Sequence, residues 1–160
     1  MRLTALLLLS LISMPLWAAP EYPHMGADIY DTKADGGNLI DAALVRAERE
    51  DKRVLILFGA NWCPWCRRLH QALSSAPTVV QKIHQEFVLV YIDANTRNDK
   101  KRHATVIKRY GNPLRYGMPV FVLLDNDGTQ LTTRESGSLS GATHEATAKL
   151  ITEFLDQWVK

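Results

Sequence analysis

Three short apolar runs frame what this chain can fold into: "RVLILFG" from Arg53 to Gly59, "FVLVYIDA" from Phe87 to Ala94, and "PVFVLLD" from Pro119 to Asp125. Each is continuous rather than alternating and partly β-branched, which marks strands buried in the middle of a sheet. Helical spacing fills the gaps between them. Asn38 is placed to cap a helix whose apolar positions Leu39, Ala43, Leu44 and Ala47 repeat to about Glu50. Arg67 to Leu73 reads as helix, and Pro77 suits the first turn of another that continues through "TVVQKIHQ". A further helix is expected from about Lys100 to Tyr110, stopped by Gly111. After the third run, "DNDG" is a tight turn and "TQLTTRE" alternates like an outer strand. The last helix, about Thr143 to Val159, carries a stripe of Leu150, Ile151, Phe154, Leu155 and Trp158. Strands separated by helices imply an α/β fold, a mixed and mostly parallel sheet with helices on both faces. The closing hairpin makes it mixed.

Before this domain lies a leader. Met1 and Arg2 precede the apolar run "LTALLLLSLISM", which ends at "PLWAAP". The run is short for a bilayer span and reads as a secretory signal peptide, with cleavage near Ala18 or Ala19 and an uncleaved anchor as runner-up. The expected organisation is a signal peptide over 1–19, an irregular lead-in over 20–37 in which "ADIY" is a candidate short strand, and one domain over 38–160. No second apolar run is long enough for a membrane helix. Losing Arg2 takes the formal charge from +2 to +1, a balance that argues against an obligate nucleic-acid binder. The basic run "RNDKKRH" is expected to form a solvated helix face.

The chain's only two cysteines, Cys63 and Cys66, stand two residues apart in "LFGANWCPWCRRLH". A bridge between them would close almost no loop and so stabilise little. Zinc sites call for four ligands, and the five histidines, His24, His70, His84, His103 and His144, form no close pair. Redox exchange is the reading that suits two thiols at this spacing. A soft Cu(I) site made of Cys63, Cys66 and Met118 is the alternative from another class, and a substrate-binding or chaperone module is a third.

"FGANWCPWC" at the end of a buried strand, followed some fifty residues later by "YGMPVFVLLDNDG", resembles the thioredoxin superfamily over about residues 38–159. Exported thioredoxin-like thiol–disulfide oxidoreductases are the nearest in texture. The resemblance implies that Cys63 attacks a substrate disulfide and Cys66 resolves the mixed disulfide, with no cofactor. Protein thiols and disulfides in a periplasm would be the substrates, and a membrane-bound thiol donor the source of electrons. It implies a cis Met118–Pro119 bond close to the cysteines, with Trp62, Pro64, Trp65, Met118 and Pro119 contacting substrate. Pro64 also suits a first helical turn, where its missing N–H is no loss. Arg67 and Arg68 are expected on a solvated helix face, and His70 at a surface or packing position. The neutral Trp65 inside the dipeptide favours the reductase or isomerase direction over strong oxidation. One departure stands out. The buried acid that in thioredoxin precedes the first cysteine by six residues is here Leu57, so another group or water must take the proton of Cys66, or resolution is slower.

Overall fold

A computed structural model describes residues 19–160. The leader expected over 1–19 therefore lies, except for Ala19, outside the described residues. Helix α1 (Gly36–Glu50) leads into strand β1 (Arg53–Gly59), followed by α2 (Pro64–Ser75), α3 (Pro77–Glu86), β2 (Phe87–Asp93), α4 (Ala104–Arg109), β3 (Val120–Leu124), β4 (Gln130–Glu135) and α5 (His144–Asp156). The sheet order is β2-β1-β3-β4, so β1 and β3 occupy the centre. Their buried, continuous apolar character follows from that placement.

Alternate residues of the central strands serve two cores. Val54, Ile56, Phe58, Val120, Val122 and Leu124 face α1 and α4. Leu55, Leu57, Phe121 and Leu123 face α2, α3 and α5, which contribute Leu69, Leu73, Val79, Ile151 and Phe154 among others. Burying each of these large side chains contributes about 1.5–3 kcal/mol before chain entropy is counted.

The sheet is mixed, as expected, but its balance differs. Only β1 and β2 pair in parallel; β1–β3 and β3–β4 are antiparallel. The connection from β2 to β3 carries only the six-residue α4 in place of a crossover helix of strand length, and β3 starts at the end of the sheet where β2 finishes. Val120 accordingly pairs with Phe58, at the same edge as the cysteine motif.

Three local expectations are corrected. The cap of α1 is Asp35, whose carboxylate accepts the Asn38 N–H at 2.9 Å, so the helix begins two residues before Asn38. Residues 100–103 are not helical: His103 has φ +53, and the side chains of Lys100 and Arg102 turn to Glu21 and Asp93. "ADIY" is no strand. The N–H groups of Ile29 and Tyr30 donate to Asn61 Oδ1 at 2.8 and 2.9 Å, and Asn61 Nδ2 donates to the Tyr30 carbonyl at 2.9 Å. A buried amide side chain takes the part of a neighbouring strand. Through it, and through the Glu21 and Arg67 contacts, the lead-in packs against the domain.

Candidate active site

Cys63 is the N-cap of α2, with Pro64 at the first helical position. The fold thus aims free N–H groups at its sulfur: Sγ accepts the Cys66 N–H at 3.2 Å. Both cysteines are free thiols, Cys63 3% exposed and Cys66 0%, so approach to the pair is over Cys63. The Cys63 thiol lies below the ordinary thiol range, at about 7. The main cause is the hydrogen bond from the Cys66 thiol, helped by the backbone N–H groups of Cys66 and Trp65 and by the Arg97 charge, and opposed by burial. Cys66 moves the other way, because its proton is held by Cys63 and burial penalises its anion. The two thiols titrate as a pair in which the outer sulfur ionises first.

The β2–β3 connection completes the site. The Met118–Pro119 peptide is cis, and the Cys63 thiol points at the Met118 carbonyl at 3.9 Å. Beside it lies a hollow of about 370 Å³ lined by Trp65, Tyr116, Met118, Pro119, Glu135 and Ser136. Trp65 and Tyr116 are 59% and 51% exposed, two large aromatic surfaces on its rim. Rings so placed offer broad apolar contact to a docking chain. The structure therefore gathers Cys63, Pro64, Cys66, Trp65, Met118 and Pro119 at one edge of the sheet. Trp62 packs half-buried against the cluster of Tyr30, Cys63 and Cys66, its indole N–H donating to Asn95 Oδ1 at 2.8 Å. Among the described residues, no three of His, Cys, Asp and Glu group closely enough to hold a metal ion.

Several residues here were not singled out from sequence. The Arg97 guanidinium lies 3.7 Å from the Trp62 ring centre and contributes to lowering Cys63. Asn95 orients both, accepting from Trp62 and from the Arg97 N–H at 2.9 Å. Arg97 is exposed, as a solvated face requires, yet it stacks on Trp62, and the basic run does not form one solvated helix face, since Lys100 and Arg102 pair with Glu21 and Arg102 also with Asp93. Nothing in the spacing of "RNDKKRH" signals this, because its partners come from distant segments. Arg67 is corrected likewise, whereas Arg68 stays exposed on α2 as expected. Arg67 holds the Asn61 carbonyl through Nε and Nη2 and the Ala27 carbonyl through Nη1, and Arg68 holds the Gly141 carbonyl. His70 is half-buried beside Tyr91, its Nδ1 3.1 Å from the tyrosine oxygen; burial, with Arg67 near, keeps it below the ordinary histidine range. Leu57 is wholly buried on the α2 and α5 side of the sheet.

The thioredoxin-like domain family matches residues 40–151. Among solved structures, the chain is similar to a disulphide isomerase from Xylella fastidiosa Temecula1, with 30% identity, a TM-score of 0.68, and coverage of 81% of this chain and 95% of that one. The C-terminal domain of Neisseria meningitidis DsbD in its oxidised form shares the fold at 24% identity and a TM-score of 0.55, over 78% of this chain and 96% of that one. Nucleoredoxin of Danio rerio is 27% identical over 101 residues, 52% of this chain. The chain covers 23% of that protein and 24% of its Mus musculus counterpart, about a quarter of the length of the curated relatives it matches.

Proposed function

The chain belongs to the thioredoxin-like family, and on that premise we propose that it is an exported thiol–disulfide oxidoreductase acting on protein disulfides in the reductase or isomerase direction. The observation that carries this reading is the sulfur of Cys63 at the N-cap of α2, accepting the Cys66 N–H beside the Met118 carbonyl. Its thiolate attacks one sulfur of a substrate disulfide. The substrate S–S bond breaks, a Cys63–substrate disulfide forms, and the other substrate sulfur leaves as a thiolate that takes up a proton. Cys66 then attacks Cys63, and the second substrate sulfur departs. The protein is left oxidised, and a dithiol donor must return two electrons before the next turn. In an isomerase cycle the substrate's own second thiol resolves the intermediate and no donor is consumed. The substrate lies along the Met118–Pro119 segment, with Trp65 and Tyr116 supplying exposed apolar surface beside it and Trp62 packed against the cysteine pair.

Direction rests on the dipeptide. Pro64 and Trp65 carry no charge, so the Cys63 thiolate draws on the Cys66 thiol, on helix N–H groups and on one cation outside the motif. Similarity to a disulphide isomerase supports the same direction. The leader supports export, cleavage near Ala18 or Ala19, and a periplasmic setting in which the electron donor is a membrane-bound thiol protein. No helix among the described residues is long and apolar enough to cross a membrane.

Equilibration of the cysteine pair with glutathione buffers tests the direction. The expected potential is more reducing than about −120 mV, the value of a strong oxidant; a potential at or above that value overturns the reductase or isomerase assignment. Sequencing the N-terminus of protein recovered after export tests the location. It should begin near Ala19 or Pro20, and recovery of the full-length chain from the cytoplasm would contradict it.

A further inference from the structure

Resolution of the mixed disulfide needs a thiolate at Cys66, and the surroundings of Cys66 oppose one. Its side chain is wholly buried, and the position that carries a carboxylate in thioredoxin holds Leu57, packed among apolar side chains. The fold brings a different polar group to this sulfur. Tyr30, from the lead-in, is wholly buried and packs in one cluster with Cys63 and Cys66. Its hydroxyl has no hydrogen-bond partner of ordinary geometry. Gly59, at the end of β1, opens the space between them: a Cβ there would strike the Tyr30 hydroxyl and lie 2.8 Å from Cys66 Sγ. Both groups therefore converge over the same glycine. The tyrosine is also held from both ends. Asn61 fixes its backbone with hydrogen bonds to the N–H and carbonyl, and Tyr91 packs edge-on against its ring at 5.7 Å. An unpartnered buried hydroxyl is unfavourable in the resting protein, so its retention beside a sulfur that must ionise calls for a use.

We propose that the Tyr30 hydroxyl donates a hydrogen bond to the Cys66 sulfur as it ionises, holding the resolving thiolate in place of the missing carboxylate. The inference rests on the thiol–disulfide reading above and assigns the step to a residue that reading does not use. Tyr30 acts as donor only. Burial, then the neighbouring Cys66, keeps its own proton well beyond the ordinary tyrosine range, so it does not take the cysteine's proton. In the step itself, Cys66 Sγ forms a bond to Cys63 Sγ, and the bond from Cys63 to the substrate sulfur breaks. The electron pair leaves on the substrate sulfur, which ends as a thiol carrying one proton in exchange for the one lost by Cys66. The other titratable groups facing the pair are Cys63 at the N-terminus of α2 and Tyr91 on β2, and Arg97 faces Cys63 from the segment after β2.

A symmetric aromatic disulfide that releases one coloured thiolate on attack and a second on resolution separates the two steps in one stopped-flow trace. In the full-length reduced protein, Tyr30→Phe should leave the first phase within about twofold of wild type and slow the second roughly tenfold or more, the scale of a charge-assisted hydrogen bond. The pH at which the second phase reaches half its limit should move upward. Tyr91→Phe, which removes a hydroxyl from the adjacent ring, should change neither phase. Thermal unfolding of Tyr30→Phe should stay close to wild type, because the lost hydroxyl makes no well-formed hydrogen bond in the resting protein. An unchanged second phase overturns the proposal, and so does equal slowing of both phases, which would mark Tyr30 as a packing residue. If wild-type protein releases neither thiolate, the disulfide-exchange reading itself fails, a result distinct from either.

Discussion

The N-terminus of α2 and the lead-in before α1 meet at the same sulfur pair, yet they are built by opposite means. The first is local. Cys63, Pro64, Trp65 and Cys66 lie within four consecutive positions, and one helix start orients them. The second is assembled from long-range bonds. Asn61 holds Tyr30 from 31 residues away, Arg67 holds Ala27 from 40, and Arg102 and Lys100 hold Glu21 from 81 and 79. The helix start lowers the Cys63 thiol mostly by its own means, the Cys66 thiol and the backbone N–H groups, while the lead-in has no secondary structure to stand on apart from one short 3₁₀ turn. A segment of that kind is ordered only as far as side chains satisfy its backbone.

The largest expected effect falls on the helix start. Cys63→Ser should abolish disulfide reduction in a thiol-coupled assay while leaving thermal unfolding nearly unchanged. Cys66→Ser should still attack but fail to resolve, and so accumulate mixed disulfides visible on non-reducing gels. Capture by Cys63→Ser and not by Cys66→Ser would reverse the roles.

Next comes the lead-in. Asn61→Ala removes three hydrogen bonds and leaves two N–H groups without partners, which should destabilise the protein by about 2–4 kcal/mol in denaturant unfolding. Alkylation of Cys63 in the folded fraction should persist. A loss under about 0.5 kcal/mol would mean that the lead-in is an appendage and that the contrast drawn above is false.

How much of this was legible follows the same division. β1 was read from Arg53 to Gly59 as found, because a central strand shows itself as an unbroken apolar run. The stripe of α5 and the cysteine pair were legible for similar local reasons. The start of α1 was misplaced because Gly36 and Gly37 are poor helix formers, and only the cap by Asp35 carries the helix across them. The balance of the sheet was misjudged because the charged stretch before α4 has helical propensity that its ion pairs to Glu21 and Asp93 override. Tyr30, Asn61, Asn95 and Arg97 were missed in their roles for one reason. Each acts through partners that only the folded chain brings near, and no spacing rule reaches across 31 residues.

Arg67 sits on the boundary between the two regions, since it springs from α2 and grips the lead-in. Its guanidinium spans two carbonyls, Asn61 at 3.0 and 2.8 Å and Ala27 at 2.8 Å. Lysine keeps the charge but not the planar fork. Arg67→Lys should therefore lose about 1 kcal/mol of stability, close to the loss in Arg67→Ala. Full retention by lysine would return Arg67 to the solvated face that its sequence context suggests.

The smallest effect is electrostatic and touches the helix start from outside. Arg97 lies over Trp62 and stabilises the Cys63 thiolate, so its removal should raise the Cys63 pKa. The sign follows from the charge: without the cation the thiolate is less favoured, and at a given pH fewer molecules carry it. In wild type the rate of Cys63 alkylation should rise with pH and reach half its limit at about 7. In Arg97→Ala that midpoint should move upward, leaving about two- to threefold less thiolate at pH values below it, a modest change because Arg97 is exposed and screened. Added salt should shrink the difference between the two proteins. Arg97→Lys restores the charge without the flat stacking on Trp62, so it should recover most of the midpoint. If it recovers none, Arg97 acts by holding the indole in place, and the helix start depends on its distant neighbours as much as the lead-in does.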